Sequence, residues 1–292
     1  MADSAPILDV VNARTDTAFG RPHPALTGAV TGYIGYEMTG FSPGMHRGLP
    51  TRNLTFIVSL ADPVEMKLPS SRYGRIDRHQ AFVAGLDTAP AHIHHDGNQF
   101  GIAIETTPFG ASRLFGLPPV ELTGLVVDLH DLFGSTDALT LPDRLRAAPD
   151  WTARFEMLDT LLTTRLDAAR DVPDDVVWAW NELGAAPGAH AVDAMARELG
   201  WSRRHFSARF KQHVGLSPRQ FQRVARFERS KHLIVSGHAT SDVITAAGYY
   251  DHAHLLHEWN KLAGCRPTEW QAEELPSVQD TSGPDHEDGV HD

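Results

Sequence analysis

Cysteine is nearly absent from this chain. Cys265 is the only one among 292 residues, which excludes an internal disulfide and fits a reducing cytoplasm. No apolar run is long enough to span a bilayer, so no membrane association is expected. The opening MADSAPILDVV has no basic segment followed by a long apolar stretch, so no secretory signal is expected. Phosphate-binding glycine loops, dinucleotide fingerprints and a Ser-His-Asp order are also missing. Nothing therefore marks the chain as an enzyme or asks for a cofactor.

Net positive charge is missing too. The chain carries 26 Lys+Arg against 37 Asp+Glu, a formal charge of −11. The deficit is uneven. Residues 1–175 hold 14 basic and 22 acidic residues, residues 176–271 hold 12 and 8, and residues 272–292 hold none and 7. Between Arg203 and Lys231 there are nine basic residues and one acid, Glu228. A phosphate backbone responds to this local density, because charges are screened beyond about 8 Å in physiological salt. Without further evidence, a solvated helix face explains such a run equally well.

That further evidence is an internal repeat. GWSRRHFSARFKQHVGLSPRQF (Gly200 to Phe221) and GYYDHAHLLHEWNKLAGCRPTEW (Gly248 to Trp270) match at one offset. Phe206 pairs with Leu255, Phe210 with Trp259, Gly215 with Gly264, Pro218 with Pro267 and Phe221 with Trp270, each 49 residues apart. Each copy reads as a helix–turn–helix, so the repeat predicts two DNA-reading heads on one module.

In the first head, Gly200 suits a left-handed helix end and Ser202 a helix start. Phe206, Phe210 and Val214 form the core stripe, leaving Arg203, Arg204, Ser207, Ala208 and Lys211 outside. Arg204 and Ser207 are the expected base readers, since Arg bonds guanine through two atoms and Ser bonds several base edges. Arg203, Arg209 and Lys211 are expected at phosphates. SPRQFQRVARFERSKHLIVSG then reads as a connecting helix of about 18 residues, spanning about 27 Å. Phe221, Val224 and Phe227 form its buried stripe, and Arg219 at its start joins the DNA-facing set. In the second head Thr240 or Ser241 is expected to cap the first helix, and Asp251 the second. Leu255, Trp259 and Leu262 form the core, and His252, Ala253, Leu256, His257 and Asn260 the outer face. That face carries little fixed charge, because histidine is mostly neutral at pH 7.

The region from Val172 to Trp270 resembles the DNA-binding module of the AraC/XylS family of transcriptional regulators. The second copy carries its most specific part: Gly-aromatic, polar cap, His-aromatic, a second aromatic, then Gly-x-x-Pro-x-x-aromatic. The sequence departs from that pattern at Ile244, where Ala is usual, and at His257 and Asn260, where Arg and Lys are usual. The segments HRGLPTRNLTFIVSLADP, QFGIAIETTPFGASRLFGLP and VVDLHDLFG resemble sensor regions that accompany the module. The resemblance implies double-stranded DNA and RNA polymerase as partners, a small-molecule effector in the N-terminal region, and a homodimer as one arrangement.

The N-terminal region reads as short strands: Val30 to Met38, Leu54 to Asp62, Gln80 to Asp87, Ala91 to His95 and Gln99 to Thr107. Such spacing suggests a small barrel or sandwich. Trp151 to Arg170 reads as an amphipathic helix with Phe155, Leu158, Leu162 and Leu166 on one face. It would join the domains, present a dimer surface or pack on its own domain. The expected class is α+β multidomain. A β-rich sensor or dimerisation domain (1–150) is followed by a linker helix (151–171) and an all-α domain with two helix–turn–helix motifs (172–272). An acidic tail (273–292) is expected to be disordered.

His46, Arg47 and Asn53 are placed in a polar loop and are the candidate effector contacts; holding that loop by hydrogen bonds is the stronger expectation for them. His92 and His94 would share one strand face, with Glu105 as a carboxylate, giving a cupin-like metal-dependent enzyme fused to a DNA module as the alternative function. Packing histidines are expected there instead. An effector-independent architectural DNA binder is a further alternative.

Overall fold

The computed structural model describes residues 13–69, 76–134, 136–167, 172–185 and 192–273. The tail beyond residue 273 lies outside the described residues.

The N-terminal half is two antiparallel sheets. Its strands are β1 (Arg14–Gly20), β2 (Val30–Thr39), β3 (Gly44–Gly48), β4 (Leu54–Ser59), β5 (Val64–Lys67), β6 (Asp77–His79), β7 (Ala81–Ala84), β8 (Ala91–His95), β9 (Gln99–Thr106) and β10 (Val126–Asp128). One sheet runs β1-β2-β9-β4-β7-β10 and the other β3-β8-β5-β6. Among the described residues β1 and β10 do not pair, so the expected barrel does not close. The observed form is the expected sandwich. All five expected strands are present. Five more, including β3, were not foreseen, and His46 and Arg47 lie in β3 rather than in a loop.

β9 is the middle of the larger sheet. It pairs with β2 and β4, and its Ile102 and Ile104 are wholly buried with Phe56 and Val58 of β4. Period-2 alternation of β-branched and aromatic residues makes this face. Helices α1 (Pro108–Phe115), α2 (Pro119–Leu122), α3 (Leu129–Phe133), α4 (Thr136–Ala147) and α5 (Trp151–Arg165) follow. Asp150 caps α5 by accepting from the Ala153 amide. Phe155, Leu158 and Leu162 of α5 are buried. Phe155 stacks on Tyr33 of β2, and a Cβ on Gly20 would fall 2.5 Å from the Phe155 ring. The α5 surface thus packs on the sheet that precedes it.

The C-terminal half is helical: α6 (Asp174–Ala185), α7 (Val192–Glu198), α8 (Arg203–Val214), α9 (Pro218–Val235), α10 (Thr240–Ala247), α11 (His252–Leu262) and α12 (Pro267–Glu273). One apolar core runs from the sheets into these helices. Its aromatic thread is Phe109 of α1 against Trp180 of α6, Trp180 against Phe221 of α9, and Phe221 against Phe210 of α8, with ring centroids 5.8, 6.0 and 5.6 Å apart. Aromatic pairs at such separations add to the burial of their area. Among the described residues no helix is long and apolar enough to cross a membrane.

Candidate nucleic-acid interface

The first helix–turn–helix is α7 and α8. Gly200 has φ +69°, the left-handed value that ends α7 at little cost for a residue without Cβ. Ser202 Oγ accepts from the His205 amide and starts α8. Phe206, Phe210 and Val214 are wholly buried, which fixes the rotation of the helix. Arg203, Arg204, Ala208 and Lys211 are exposed, and Ser207 is half-buried. The five residues predicted for base and phosphate contact therefore occupy the outer side of α8. Arg203 also lies 3.2 Å from Asp193 of α7. Arg209 is different: it lies over the Trp201 ring and 3.5 Å from Asp175 of α6, so it ties helices together.

The second head is α10 and α11. Gly248, at φ +76°, ends α10. The expected cap of α10 is not made: Thr240 is the first helical residue, and Ala239 precedes it with no side-chain hydrogen bond. Asp251 accepts from the His254 amide and starts α11 as expected. Leu255, Trp259 and Leu262 are buried, while His252, Ala253, His257 and Asn260 are exposed and Leu256 half-buried. His254 has a local task, since its Nδ1 accepts from the Tyr250 amide at 3.2 Å and its ring meets Tyr249 edge-on. Tyr250 is 90% exposed beside the start of α11. Its place next to the reading helix was not foreseen, because one aromatic in a turn carries no periodic signal.

The 18-residue helix α9 holds both heads. Ser217 and Gln220 form a reciprocal capping box at its start, with Pro218 in the first turn. Arg219 is exposed there. Towards the second head, Arg223 Nε donates to Glu258 Oε2 at 2.7 Å. Trp259 Nε1 donates to Ser230 Oγ at 2.9 Å, and Ser230 Oγ donates to the Phe227 carbonyl at 2.7 Å. The Tyr249 hydroxyl is 3.3 Å from the same Ser230 oxygen, and Arg226 lies over the Tyr249 ring. Burial pushes the Tyr249 hydroxyl up to about 12, so it stays protonated. A satisfied polar network of this kind has one low-energy arrangement, so it fixes the second head relative to the first.

The residues read as effector contacts meet a cavity of about 150 Å³ between the two sheets. His46 and Asn53 are in its wall, with Tyr36 of β2, Ala103 of β9, Phe82 of β7 and Ile93 of β8. Arg47 points elsewhere, to Glu273 of α12 at 2.8 Å. His92 sits opposite Arg47 on β3 and Lys67 on β5, two cations that disfavour a metal ion beside it. Burial, then Arg47, then Lys67, lowers the His92 pKa. Glu105 belongs to the other sheet, where it accepts from Thr31 Oγ1 at 3.1 Å. Among the described residues no three His, Cys, Asp or Glu side chains gather as a metal site would require.

Comparison with known proteins gives a matching family model, a helix–turn–helix domain, over residues 195–273. No curated protein matches the chain significantly. Solved structures of ToxT from Vibrio cholerae are similar in outline. ToxT from strain O395 has a TM-score of 0.47 and 10% identity, covering 88% of this chain and 96% of that one. ToxT from O395 bound to (E)-4-(8-methylnaphthalen-1-yl)but-3-enoic acid gives 0.47 and 10%, covering 88% and 97%. Wild-type ToxT from strain SCE256 bound to an unsaturated fatty acid gives 0.46 and 7%, covering 88% and 94%. The repeated helical units, their caps and the matched family model lead to one assignment: residues 195–273 are an AraC-type helix–turn–helix DNA-binding domain.

Proposed function

We propose that the chain is a sequence-specific transcriptional regulator whose DNA affinity is set by a small molecule in the N-terminal cavity. The observation that carries this reading is the pair of outward faces on α8 and α11, held by one rigid helix. Arg204 and Ser207 read bases in one major-groove segment. Arg203, Lys211 and Arg219 bind the flanking phosphates. His252, Ala253, Leu256 and His257 face the next segment and rely more on shape, since their fixed charge is low. The length of α9, about 27 Å at 1.5 Å per residue, suits successive turns of one DNA face once the flanking helices are added.

The domain division proposed with this function places the sensor in residues 1–150, a connecting helix in 151–171, the reading module in 172–272 and the tail in 273–292. RNA polymerase contact and pairing with a second copy belong to the same proposal. The cavity supports effector control because its wall also touches the reading module. Thr51 and Asn53 line the cavity, and Arg52 between them pairs with Glu228 of α9. A ligand acts on such a system through its differential affinity for two arrangements.

Fluorescence-anisotropy binding to the DNA upstream of the chain's own gene, against a scrambled duplex of equal length and at several salt concentrations, tests the reading. Preference of roughly 10³-fold or more is expected. Equal and strongly salt-dependent binding to both duplexes points to an architectural binder and rejects that DNA as its operator.

A further inference from the structure

The chemistry of the cavity wall narrows the effector. This inference rests on the cavity being the regulatory site. A volume of about 150 Å³ is the size at which an apolar protein cavity accepts benzene. The wall is mainly aliphatic and aromatic, with Ile57, Met66, Phe82, Leu86 and Ile93 among its members. Among its described residues there is no Lys or Arg, and its one acid, Asp87, accepts from the Thr88 amide at 2.6 Å. An ionised carboxylate or phosphate would find no counter-charge on this wall, and an unpaired charge is strongly disfavoured in apolar surroundings.

Two polar atoms on wall residues stand apart. Nδ1 of His46 and Oδ1 of Asn53 are both shut off from solvent and have no hydrogen-bond partner. Buried polar atoms without partners are rare, and each costs stability. Both are acceptors when His46 carries its proton on Nε2. Burial, with a smaller effect from the neighbouring His95, lowers the His46 pKa to about 4, so the ring is uncharged at neutral pH. Two unmatched acceptors on an otherwise apolar wall call for a donor, not for a charge.

We propose that the cavity between the two sheets binds an uncharged, largely apolar molecule about the size of one substituted aromatic ring, whose hydroxyl or amide donor meets His46 and Asn53. Phenols and small aromatic amides have this chemistry.

The test is isothermal titration of the full chain with three probes of similar shape: meta-cresol, toluene and benzoate. Meta-cresol is expected to bind roughly tenfold or more tighter than either of the others. His46→Leu should bring its affinity down to that of toluene. Asn53→Ala should do the same in part, and serves alone if the His46 variant does not fold. Benzoate binding as tightly as meta-cresol overturns the uncharged class. Toluene binding as tightly overturns the role of the two acceptors. No binding by any probe at millimolar concentration overturns the cavity assignment. DNA preference is measured on the same protein without probes. Its loss would sink the regulator reading and leave the ligand result standing, and the converse also holds.

Discussion

Arg52 of the β3–β4 loop donates through Nε to Glu228 Oε2, on the helix that joins the two reading heads. The neighbours of Arg52 on either side face the cavity. One short loop therefore touches both the proposed effector and the proposed reader. Both charged groups are partly exposed, so the pair itself is worth only about 0–1 kcal/mol. Arg52→Ala and Glu228→Ala should each leave unfolding stability within roughly that range. Both should shift DNA affinity in the same direction, because either change breaks the same tie. A double-mutant cycle in urea and in anisotropy binding checks this. Opposite shifts in affinity would reject a shared role.

Arg204→Ala should cost about 1–3 kcal/mol on specific DNA and relax base choice at one position. Lys211→Ala should weaken all duplexes alike and flatten the salt dependence. Anisotropy titrations on native and random duplexes at several salt concentrations separate the two. Equal losses on both duplexes for Arg204→Ala would remove it from the base readers.

Ser230→Ala leaves the Trp259 indole N–H with no oxygen in a buried site. Destabilisation of about 1–3 kcal/mol is expected from such an orphaned donor. Specific DNA binding should fall as the second head loosens on α9, with the first head intact. Urea unfolding and footprinting measure the two effects. Uniform loss of protection over both half-sites would contradict the local role of Ser230.

The β3–β8 sheet should respond to acid. His46, His92 and His95 all have lowered pKa values, each chiefly through burial. A histidine that protonates less readily when folded makes the unfolded chain bind more protons. Stability should therefore be full above about pH 6.5, the unfolded value, and be lost as pH falls toward the folded value, about 4 for His46. The His46 contribution is at most about 3 kcal/mol at one unit per 1.36 kcal/mol. Thermal unfolding between pH 7.5 and 5 should show this slope, and His46→Leu should reduce it. An unchanged slope in that variant would assign the acid response elsewhere.

The reading heads were legible because their signals are local. Gly200, Ser202, Gly248 and Asp251 act within one turn of their own helix, and the buried stripes repeat with the helical period. The missed elements depend on partners. β3 is Gly-Met-His-Arg-Gly, which has no strand pattern of its own and becomes a strand by pairing with β8. The cap expected from Thr240 or Ser241 fails by one or two positions, since helix starts with several hydroxyl residues have no unique reading. Arg209 looked like a phosphate contact from charge alone. Its pairing with Trp201 and Asp175 depends on how α8 meets α6.

The sequence by itself determined the paired helix–turn–helix units, the faces they bury, the basic stretch across them and the β-rich region before them. Each follows from periodicity, capping and composition over short distances. Only the tertiary structure decided that the sheets stay open as a sandwich, that His46 and Asn53 share a cavity wall, and that Arg52 reaches Glu228 176 positions away. Those relations require sheet packing and long-range closure, which no local pattern encodes.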